Sequence, residues 1–209
     1  MDDNIEFFIK KFNVSRETID KLNIYKDFLI LSNKKLNLIG KTTENSIYYR
    51  HFLDSAQIYN IINKKLDIVD LGSGAGFPGL IIKLLMEDEK IDGKVILIEK
   101  SNKKSNFLLN ISNLLNLKIK ICSKKLEDYN FNNQSSVVSR AFKSTLDTLN
   151  ILFKNISKIE EIVLLKGKTY QQEIDDAKKK YTFNIEKFKS ITSDESYILK
   201  ITDVKLHTT

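Results

Sequence analysis

Residues 70–79 read DLGSGAGFPG, and this stretch contains four of the seven glycines in the 209-residue chain. It continues a short apolar run that begins at Ile68. Glycine allows sharp backbone turns and lets a ligand approach the backbone amides closely, and the helix that follows offers unpaired N–H groups at its first turn. The pattern predicts a strand, a loop and a helix that bind a nucleotide-like ligand at the switch point of a parallel sheet. A plain tight turn is the alternative.

The chain around this loop alternates between two kinds of segment. Short apolar runs lie at 68–71, 95–99, 119–122, 136–140 and 162–166, and helical stretches lie at about 78–87, 101–115, 144–155 and 169–180. Apolar runs of this length between helices are typical of parallel strands buried on both faces. The alternation predicts a doubly wound α/β sheet. Residues 182–191 and 196–205 have the pattern of two strands with no helix between them, so we expect them to pair antiparallel.

The residues before the first strand have a helical pattern instead. Apolar side chains recur at helical spacing over 4–12 and 15–32, and a third helix is predicted over about 45–61, with Thr42 or Thr43 as its cap. We therefore expect an N-terminal helical extension over 1–64, packed on an α/β domain over 65–209 as one compact unit.

The residue in front of the glycines bears on the identity of the ligand. Gly74 to Gly79 also fits the dinucleotide pattern G-x-G-x-x-G, which is a weak signal by itself. Asp70, however, stands where a carboxylate can order the loop and meet the amino group of S-adenosylmethionine, whereas it would repel a pyrophosphate. The sequence therefore favours S-adenosylmethionine over NAD. It predicts the Rossmann-like class I methyltransferase fold, a doubly wound sheet whose last strand is antiparallel.

Two further segments fit such a cofactor. Glu99 ends the second strand, where a carboxylate can accept both ribose hydroxyls; NAD sites use the same device, and an exposed strand-end acid is the alternative. Leu126 and Glu127 follow the third strand and are placed to cover an adenine, although such a pair also commonly opens a helix. We expect Asp70, Gly74 and Glu99 to contact the cofactor.

The end of the fourth strand reads SRAF at 139–142, the position of the active-site floor in methyltransferases. Several acceptor chemistries lack their motifs in the sequence. Pro78 is the only proline, so no Asn/Asp-Pro-Pro-aromatic motif for exocyclic amines exists. Cys122, in an apolar strand, is a poor thiolate nucleophile, and no Lys-Asp-Lys-Glu set for sugar hydroxyls is evident. The remaining option is an acceptor atom that is already nucleophilic.

Four blocks taken together resemble the RsmG (GidB) family. They are RHFLDS at 50–55, the 70–79 loop with its GFPG ending, SRAF at 139–142 and LKG at 165–167. The likeness extends from about residue 20 to 205. It implies methyl transfer from S-adenosylmethionine to N7 of one guanine in the 530 loop of bacterial 16S rRNA. It also implies cofactor contacts at Gly72, Phe77, Leu126, Glu127 and Arg140.

The same resemblance offers candidates for catalysis and substrate binding. Guanine N7 has a free lone pair, so catalysis reduces largely to alignment and exclusion of water. Arg140 and His51 are the catalytic candidates; Arg140 would bond guanine O6 or position the cofactor. Arg50, His51, Asp54 and Lys166 are the substrate-binding candidates. For His51 and Asp54 a helix cap or an interdomain hydrogen bond is the alternative, and for Lys166 a solvated strand end. Lysines 103, 104, 124 and 125 would add backbone affinity or simply be solvated.

The composition is compatible with this interpretation. The net charge is +7, but 31 of the 34 basic residues are lysine, which is typical of an A+T-rich genome, so the charge permits a phosphate-rich partner without establishing one. We expect 16S rRNA or the small ribosomal subunit as partner, a cytoplasmic monomer, no metal and no membrane. The alternatives are a methyltransferase for another RNA or a small molecule, and a non-catalytic rRNA-binding assembly factor.

Overall fold

Two helices begin the chain in the computed structural model, which describes residues 3–131, 135–154 and 159–207. They are α1 (Asp3–Phe12) and α2 (Arg16–Leu36). Helix α2 begins where the Ser15 hydroxyl accepts the Thr18 N–H at 3.2 Å, and it ends where Asn37 adopts a left-handed conformation with φ of 47°. Both predicted helices are confirmed, and α2 continues past its predicted end at residue 32.

The third predicted helix, over about 45–61, is confirmed in part: residues 47–56 are helical, but the helix is irregular and ends at Ala56. The segment is a 3-10 helix (Lys41–Ser46), a π-helical turn (Tyr48–Leu53) and a short helix α3 (Asp54–Ala56), followed by turns. Three consecutive side chains, His51, Phe52 and Leu53, are buried, so the segment contacts protein on several sides. A regular helix with one apolar stripe does not bury consecutive residues in this way, and widened turns of this kind are found at functional sites.

The predicted cap of that helix is wrong. Gly40 occupies the position before the 3-10 helix and makes no side-chain cap. The Thr43 hydroxyl donates instead to the Gly40 carbonyl at 2.7 Å and lies 2.8 Å from His51 Nε2. Thr43 is thereby part of the candidate site.

Within the described residues one sheet has the strand order β3-β2-β1-β4-β5-β7-β6. Its strands are β1 (Asp67–Leu71), β2 (Val95–Ile98), β3 (Lys120–Cys122), β4 (Ser135–Arg140), β5 (Glu161–Lys166), β6 (Tyr181–Lys189) and β7 (Tyr197–Leu206). Strands β1 to β5 pair parallel, whereas β7 is antiparallel to both of its neighbours. The predicted doubly wound sheet with a reversed last strand is confirmed.

Helices cover both faces of the sheet. They are α4 (Gly79–Asp88) and α5 (Asn102–Leu114) on one face, and α6 (Thr145–Leu152) and α7 (Tyr170–Lys178) on the other. Successive strand residues alternate between the two cores, as Ile68 and Val69 do. All four predicted helices are confirmed; residue 155, the predicted end of α6, lies outside the described residues.

The N-terminal helices share a core with the α/β part. Leu22 of α2, Phe52 of the π-helical turn and Leu80 of α4 belong to one cluster of buried side chains. The division of the chain at residues 64 and 65 stays a prediction. No helix in the described ranges is both long and apolar enough to span a membrane.

The order in which the chain adds strands reverses at β1: β2 and β3 follow on one side of β1, and β4 and β5 follow on the other. Ligands of doubly wound sheets bind in the crevice beyond the carboxyl ends of such strands. The chain that leaves these ends comprises residues 72–78, 99–101 and 141–144. The fold therefore brings the predicted loop, Glu99 and the SRAF block to one edge.

Candidate active site

The glycine loop requires backbone conformations that other residues rarely adopt. Gly72, Gly74 and Gly76 have φ angles of 65°, 57° and 96°. A Cβ added to Gly72 would lie 2.6 Å from Cδ2 of Phe142, so packing excludes a side chain there as well. The loop thus fixes a close contact between the ends of β1 and β4.

Asp70, at the end of β1, hydrogen-bonds to the backbone at the far end of this loop. It is fully buried, and its Oδ2 accepts the Gly79 N–H at 3.0 Å, at the start of α4. Its Oδ1 has no hydrogen-bond partner among the described residues. Burial raises the pKa of Asp70 to about 7, against the opposing effect of the Gly79 hydrogen bond. Asp70 is inaccessible to a ligand in this arrangement, so its contact with a ligand's amino group stays a prediction.

Glu99 fastens the loop to the next helix. Its Oε2 accepts the Gly74 N–H at 3.0 Å, and its Oε1 accepts the Ser101 N–H at 2.8 Å. A carboxylate oxygen has a second lone pair, so these bonds leave capacity for hydroxyl donors. The predicted ribose contact is compatible with this arrangement, which shows in addition that Glu99 orders the loop.

A cleft of about 720 Å³ opens beside the loop, and we call it the cofactor cleft. Gly72, Glu99, Leu126 and Glu127 line it, as does Phe142. Leu126 is buried and Glu127 is exposed on a 3-10 helix (Leu126–Asp128) that follows β3. The apolar side chains suit an aromatic base, and the acidic groups suit hydroxyls and a positive charge; five lysines also line the cleft. The residues present therefore fit S-adenosylmethionine.

Other predicted cofactor residues lie behind the cleft rather than along it. Phe77 is 4% exposed, and its ring stacks on those of Tyr25 and His51 at centroid distances of 5.5 and 5.3 Å. The Tyr25 hydroxyl of α2 donates to the Ala75 carbonyl within the loop. Tyr25 was visible in the sequence only as an apolar position of a helix, and its support of the loop was missed.

Arg140 is held on three sides at the end of β4. Its Nη1 donates to the Arg50 carbonyl and to Asp54 Oδ2, each at 3.1 Å. Its Nη2 lies 3.0 Å from His51 Nδ1, and the guanidinium lies 4.8 Å from the centre of the Phe77 ring. The geometry brings together three blocks that are far apart in sequence, and it fixes the orientation of the guanidinium.

The residue after Arg140 redirects the chain. Ala141 has a φ of 52°, an unusual conformation for a residue with a side chain. Phe142 then covers Gly72 and lines the cofactor cleft, whereas Arg140 lines two adjoining cavities of about 180 and 290 Å³. We call these two cavities the acceptor side. The SRAF block therefore separates the cofactor cleft from the acceptor side.

His51 is neutral in this setting. Burial lowers its pKa to about 3, assisted by the positive charges of Arg140 and Arg50. Because arginine can only donate, His51 Nδ1 accepts from Arg140 and its Nε2 carries the proton, which it donates to the Thr43 hydroxyl. His51 is thus an orienting group that cannot take up a proton at neutral pH.

Asp54 connects Arg140 to the hairpin between β6 and β7. Its Oδ1 accepts from Gln57 Nε2 at 2.9 Å and from the Thr192 hydroxyl at 2.5 Å. Gln57 also accepts the Ile191 N–H at 2.9 Å. The bonds from Thr192 to Asp54 and from Ile191 to Gln57 were missed, because residues more than 130 positions apart give no signal in the sequence that they are in contact.

The last two substrate-binding candidates differ in their surroundings. Lys166 pairs with Glu173 at 2.8 Å and donates to the Lys143 carbonyl. Burial opposes ionisation of Glu173, but the Lys166 bond and charge outweigh it and lower the pKa of Glu173. Arg50 is exposed and lines the acceptor side. Roles of Lys166 and Arg50 in substrate binding stay predictions. Within the described ranges no group of three His, Cys, Asp or Glu side chains could hold a metal ion.

Known proteins resemble this chain over almost its whole length. The sequence profile of the GidB family, described as rRNA small subunit methyltransferase G, matches residues 18–200. Proteins named ribosomal RNA small subunit methyltransferase G are 33% identical in Pelagibacter ubique and 37% identical in Orientia tsutsugamushi. The first alignment covers 94% of both chains, and the second covers 94% of this chain and 96% of its relative.

Solved structures share the fold. A ribosomal protein L11 methylase from Lactobacillus delbrueckii superimposes with a TM-score of 0.56 and 14% identity, over 78% of this chain and 80% of that one. A SAM-dependent methyltransferase from Aquifex aeolicus superimposes with a TM-score of 0.55 and 15% identity, over 78% and 95% of the two chains. The predicted class I methyltransferase fold is thereby confirmed.

Proposed function

Because this chain belongs to the rRNA small subunit methyltransferase G (GidB) family, we propose that it methylates N7 of one guanine in the 530 loop of 16S rRNA. Membership of the family supports the general activity, methylation of 16S rRNA with S-adenosylmethionine as the methyl donor. The acceptor atom and the loop rest on the resemblance of the sequence blocks and on the chemistry of the acceptor side. The partner is 16S rRNA or the small ribosomal subunit.

When bound, S-adenosylmethionine would supply an electrophilic methyl group on a positively charged sulfur, and that sulfur would keep the electron pair of the broken S–CH₃ bond. Glu99, Leu126 and Glu127 line the cofactor cleft and would hold the cofactor there. Asp70 and Glu99 also fasten the glycine loop through the N–H groups of Gly79 and Gly74. The loop is therefore ordered by the chain itself, which lowers the entropic cost of binding.

One observation supports guanine N7 over acceptors that must first lose a proton. The titratable side chains that contact Arg140 are His51, whose pKa is about 3, and Asp54, which forms an ion pair with Arg140 at 3.1 Å. His51 is not suited to act as a general base at neutral pH, and Asp54 is engaged by Arg140, Gln57 and Thr192. Guanine N7 carries a free lone pair at that pH, so alignment suffices.

Arg140 would orient the acceptor. Its three hydrogen bonds to Arg50, Asp54 and His51 use three of the five N–H groups of a guanidinium. The remaining N–H groups could donate to guanine O6, next to N7, and so hold the base in one orientation. Because its position is fixed beforehand, little reorganisation is needed during the reaction.

Labelled S-adenosylmethionine tests this proposal directly. The purified protein is incubated with small ribosomal subunits from a strain that lacks the gene, and with large subunits as the matched control. We expect label in 16S rRNA at one 7-methylguanosine and none in the large subunit. An assembly factor without catalytic activity would bind the small subunit but transfer no label, and either that result or label at another atom would contradict the proposal.

A further inference from the structure

Lysine side chains from four separate segments converge on the mouth of the cofactor cleft. Lys100 follows β2, Lys104 lies in the first turn of α5, Lys124 and Lys125 follow β3, and Lys143 follows β4. We call these residues the lysine rim. Four of them are exposed, and Lys104 is half-buried. Lys103, the neighbour of Lys104, does not line the cleft.

The charge of the lysine rim is not neutralised within the described part of the chain. None of its ammonium groups forms an ion pair there, although Glu127 and Asp128 line the same cleft. Lys143 lies 5.7 Å from the ring centre of Phe142, at the limit of a cation–π contact. By contrast, Lys166 and Lys200 pair with Glu173 and Glu161 at 2.8 and 3.1 Å. The rim is therefore a concentrated positive patch.

The methyl donor itself does not account for this patch. S-adenosylmethionine carries a sulfonium, an ammonium and a carboxylate, so it is a net cation at neutral pH. Ammonium groups at the mouth of its cleft repel it, within the Debye length of about 8 Å at physiological salt. The acids inside the cleft, Glu99 and Glu127, have the favourable sign. The rim suits a partner of opposite charge, and the phosphate backbone of RNA has that charge.

We propose that the lysine rim holds the RNA backbone across the mouth of the cofactor cleft, so that bound RNA closes the cleft over the cofactor. This inference rests on the proposed function, since it assumes that RNA and cofactor occupy the protein together. It has a kinetic consequence. The cofactor must enter before the RNA, and S-adenosylhomocysteine must leave after the RNA has dissociated.

The sheet offers a matched pair of variants. Lys100 and Lys124 follow β2 and β3, whereas Lys94 and Lys118 precede the same strands at the opposite edge and are also exposed. The rim variant carries Lys100→Gln and Lys124→Gln, and the control carries Lys94→Gln and Lys118→Gln. Both lose two positive charges, so a difference between them reports position and not net charge.

Affinity for RNA is measured as a function of salt, with unmodified 16S rRNA and with small subunits from a strain that lacks the gene. We expect the negative slope of log affinity against log salt to become shallower by about 1.4 in the rim variant, because it loses two phosphate contacts and each single-stranded contact contributes about 0.7. The control should keep the wild-type slope. Affinity for S-adenosylmethionine without RNA should be equal or higher in the rim variant. An unchanged slope, or weaker cofactor binding, would overturn the inference.

Release of labelled S-adenosylhomocysteine tests closure. Saturating RNA should slow release from wild type and control by about tenfold or more, and should slow it much less in the rim variant. Release that RNA does not affect would refute closure. Both measurements use binding alone, so they are separate from methyl transfer. Binding and trapping without transfer would leave the inference standing and refute the proposed function, whereas transfer without trapping would do the reverse.

Discussion

Arg140 donates a hydrogen bond from Nη2 to Nδ1 of His51 across 3.0 Å, and this bond determines the protonation state of the histidine. Arginine cannot accept, so Nδ1 must be unprotonated and Nε2 must carry the hydrogen. The imidazole in turn stacks on Phe77 and bonds Thr43, which fixes its plane. Arg140 and His51 therefore hold each other in one fixed orientation.

The protonation of His51 can be read by nitrogen NMR. The chain has two histidines, His51 and His207, so loss of one signal in His207→Gln assigns both. We expect His51 to remain neutral with its proton on Nε2 from pH 8 down to pH 5, because burial and two arginines lower its pKa to about 3. Titration of the His51 signal near pH 6.5 would contradict the described geometry.

Arg140→Lys should impair the reaction more than cofactor binding. A lysine cannot reproduce three directed hydrogen bonds to Arg50, Asp54 and His51. We expect kcat to fall about 100-fold, the effect of a small misplacement of a catalytic group. The affinity for S-adenosylhomocysteine should change less than about tenfold, because Arg140 does not line the cofactor cleft.

The control for this variant is Arg16→Lys, at the exposed first residue of α2. It should retain wild-type activity and affinity. Full activity of Arg140→Lys would refute the assigned role. A loss confined to the affinity for the cofactor would reassign Arg140 to cofactor binding.

The titration of Asp70 should be visible in the pH dependence of the unfolding free energy. Its folded pKa of about 7 exceeds the unfolded value of 3.8, so its contribution to stability is fully present below pH 4 and is lost as pH rises to 7. Asp70→Asn keeps an oxygen for the Gly79 N–H but does not titrate. Relative to wild type, the variant should therefore gain about 2–4 kcal/mol of unfolding free energy between pH 4 and pH 8.

Urea unfolding at several pH values measures this difference. Asp92→Asn, at an exposed position before β2, is the matched control. The control should follow the wild-type pH profile. If the pH profile of Asp70→Asn also runs parallel to that of wild type, Asp70 ionises in the folded protein at no cost in free energy, which would contradict the effect of its burial.

Gly72→Ala should destabilise the glycine loop. The backbone there has φ of 65°, which costs a residue with a Cβ about 1–2 kcal/mol, and the new methyl would press on Phe142 at 2.6 Å. Gly40→Ala is the control, since its nearest neighbours would be 3.8 Å away. We expect lower unfolding free energy and weaker S-adenosylhomocysteine binding for Gly72→Ala alone. Equal behaviour of the two variants would contradict the close packing of Phe142 on the loop.

The sequence predicted the sheet well because its strands are buried on both faces and punctuated by helices. Ile68 and Val69 enter different cores, which produces the continuous apolar runs on which the prediction depended. The segment 45–61 was predicted as one regular helix, because its apolar residues recur at helical spacing; burial on several sides does not show in that spacing. Its irregular turns result from tertiary packing.

The site shows the same division. Residues of the glycine loop were identified because glycine and aspartate have direct backbone roles there. Tyr25 was not identified as part of the site, since it acts through a contact made by the fold and not by neighbours in sequence. Tyr25 bonds a carbonyl 50 residues away. The acceptor side in particular is assembled from four segments, around residues 43–57, 140–141, 165–167 and 190–198.

Mass spectrometry of 16S rRNA from cells with and without the gene tests the central claim most directly. We expect one 7-methylguanosine in the 530 loop of wild-type rRNA, its absence when the gene is deleted, and its return when the gene is restored. The Arg140→Lys variant should restore it poorly and Arg16→Lys fully. An unchanged set of 16S rRNA modifications in the deletion strain would contradict the account.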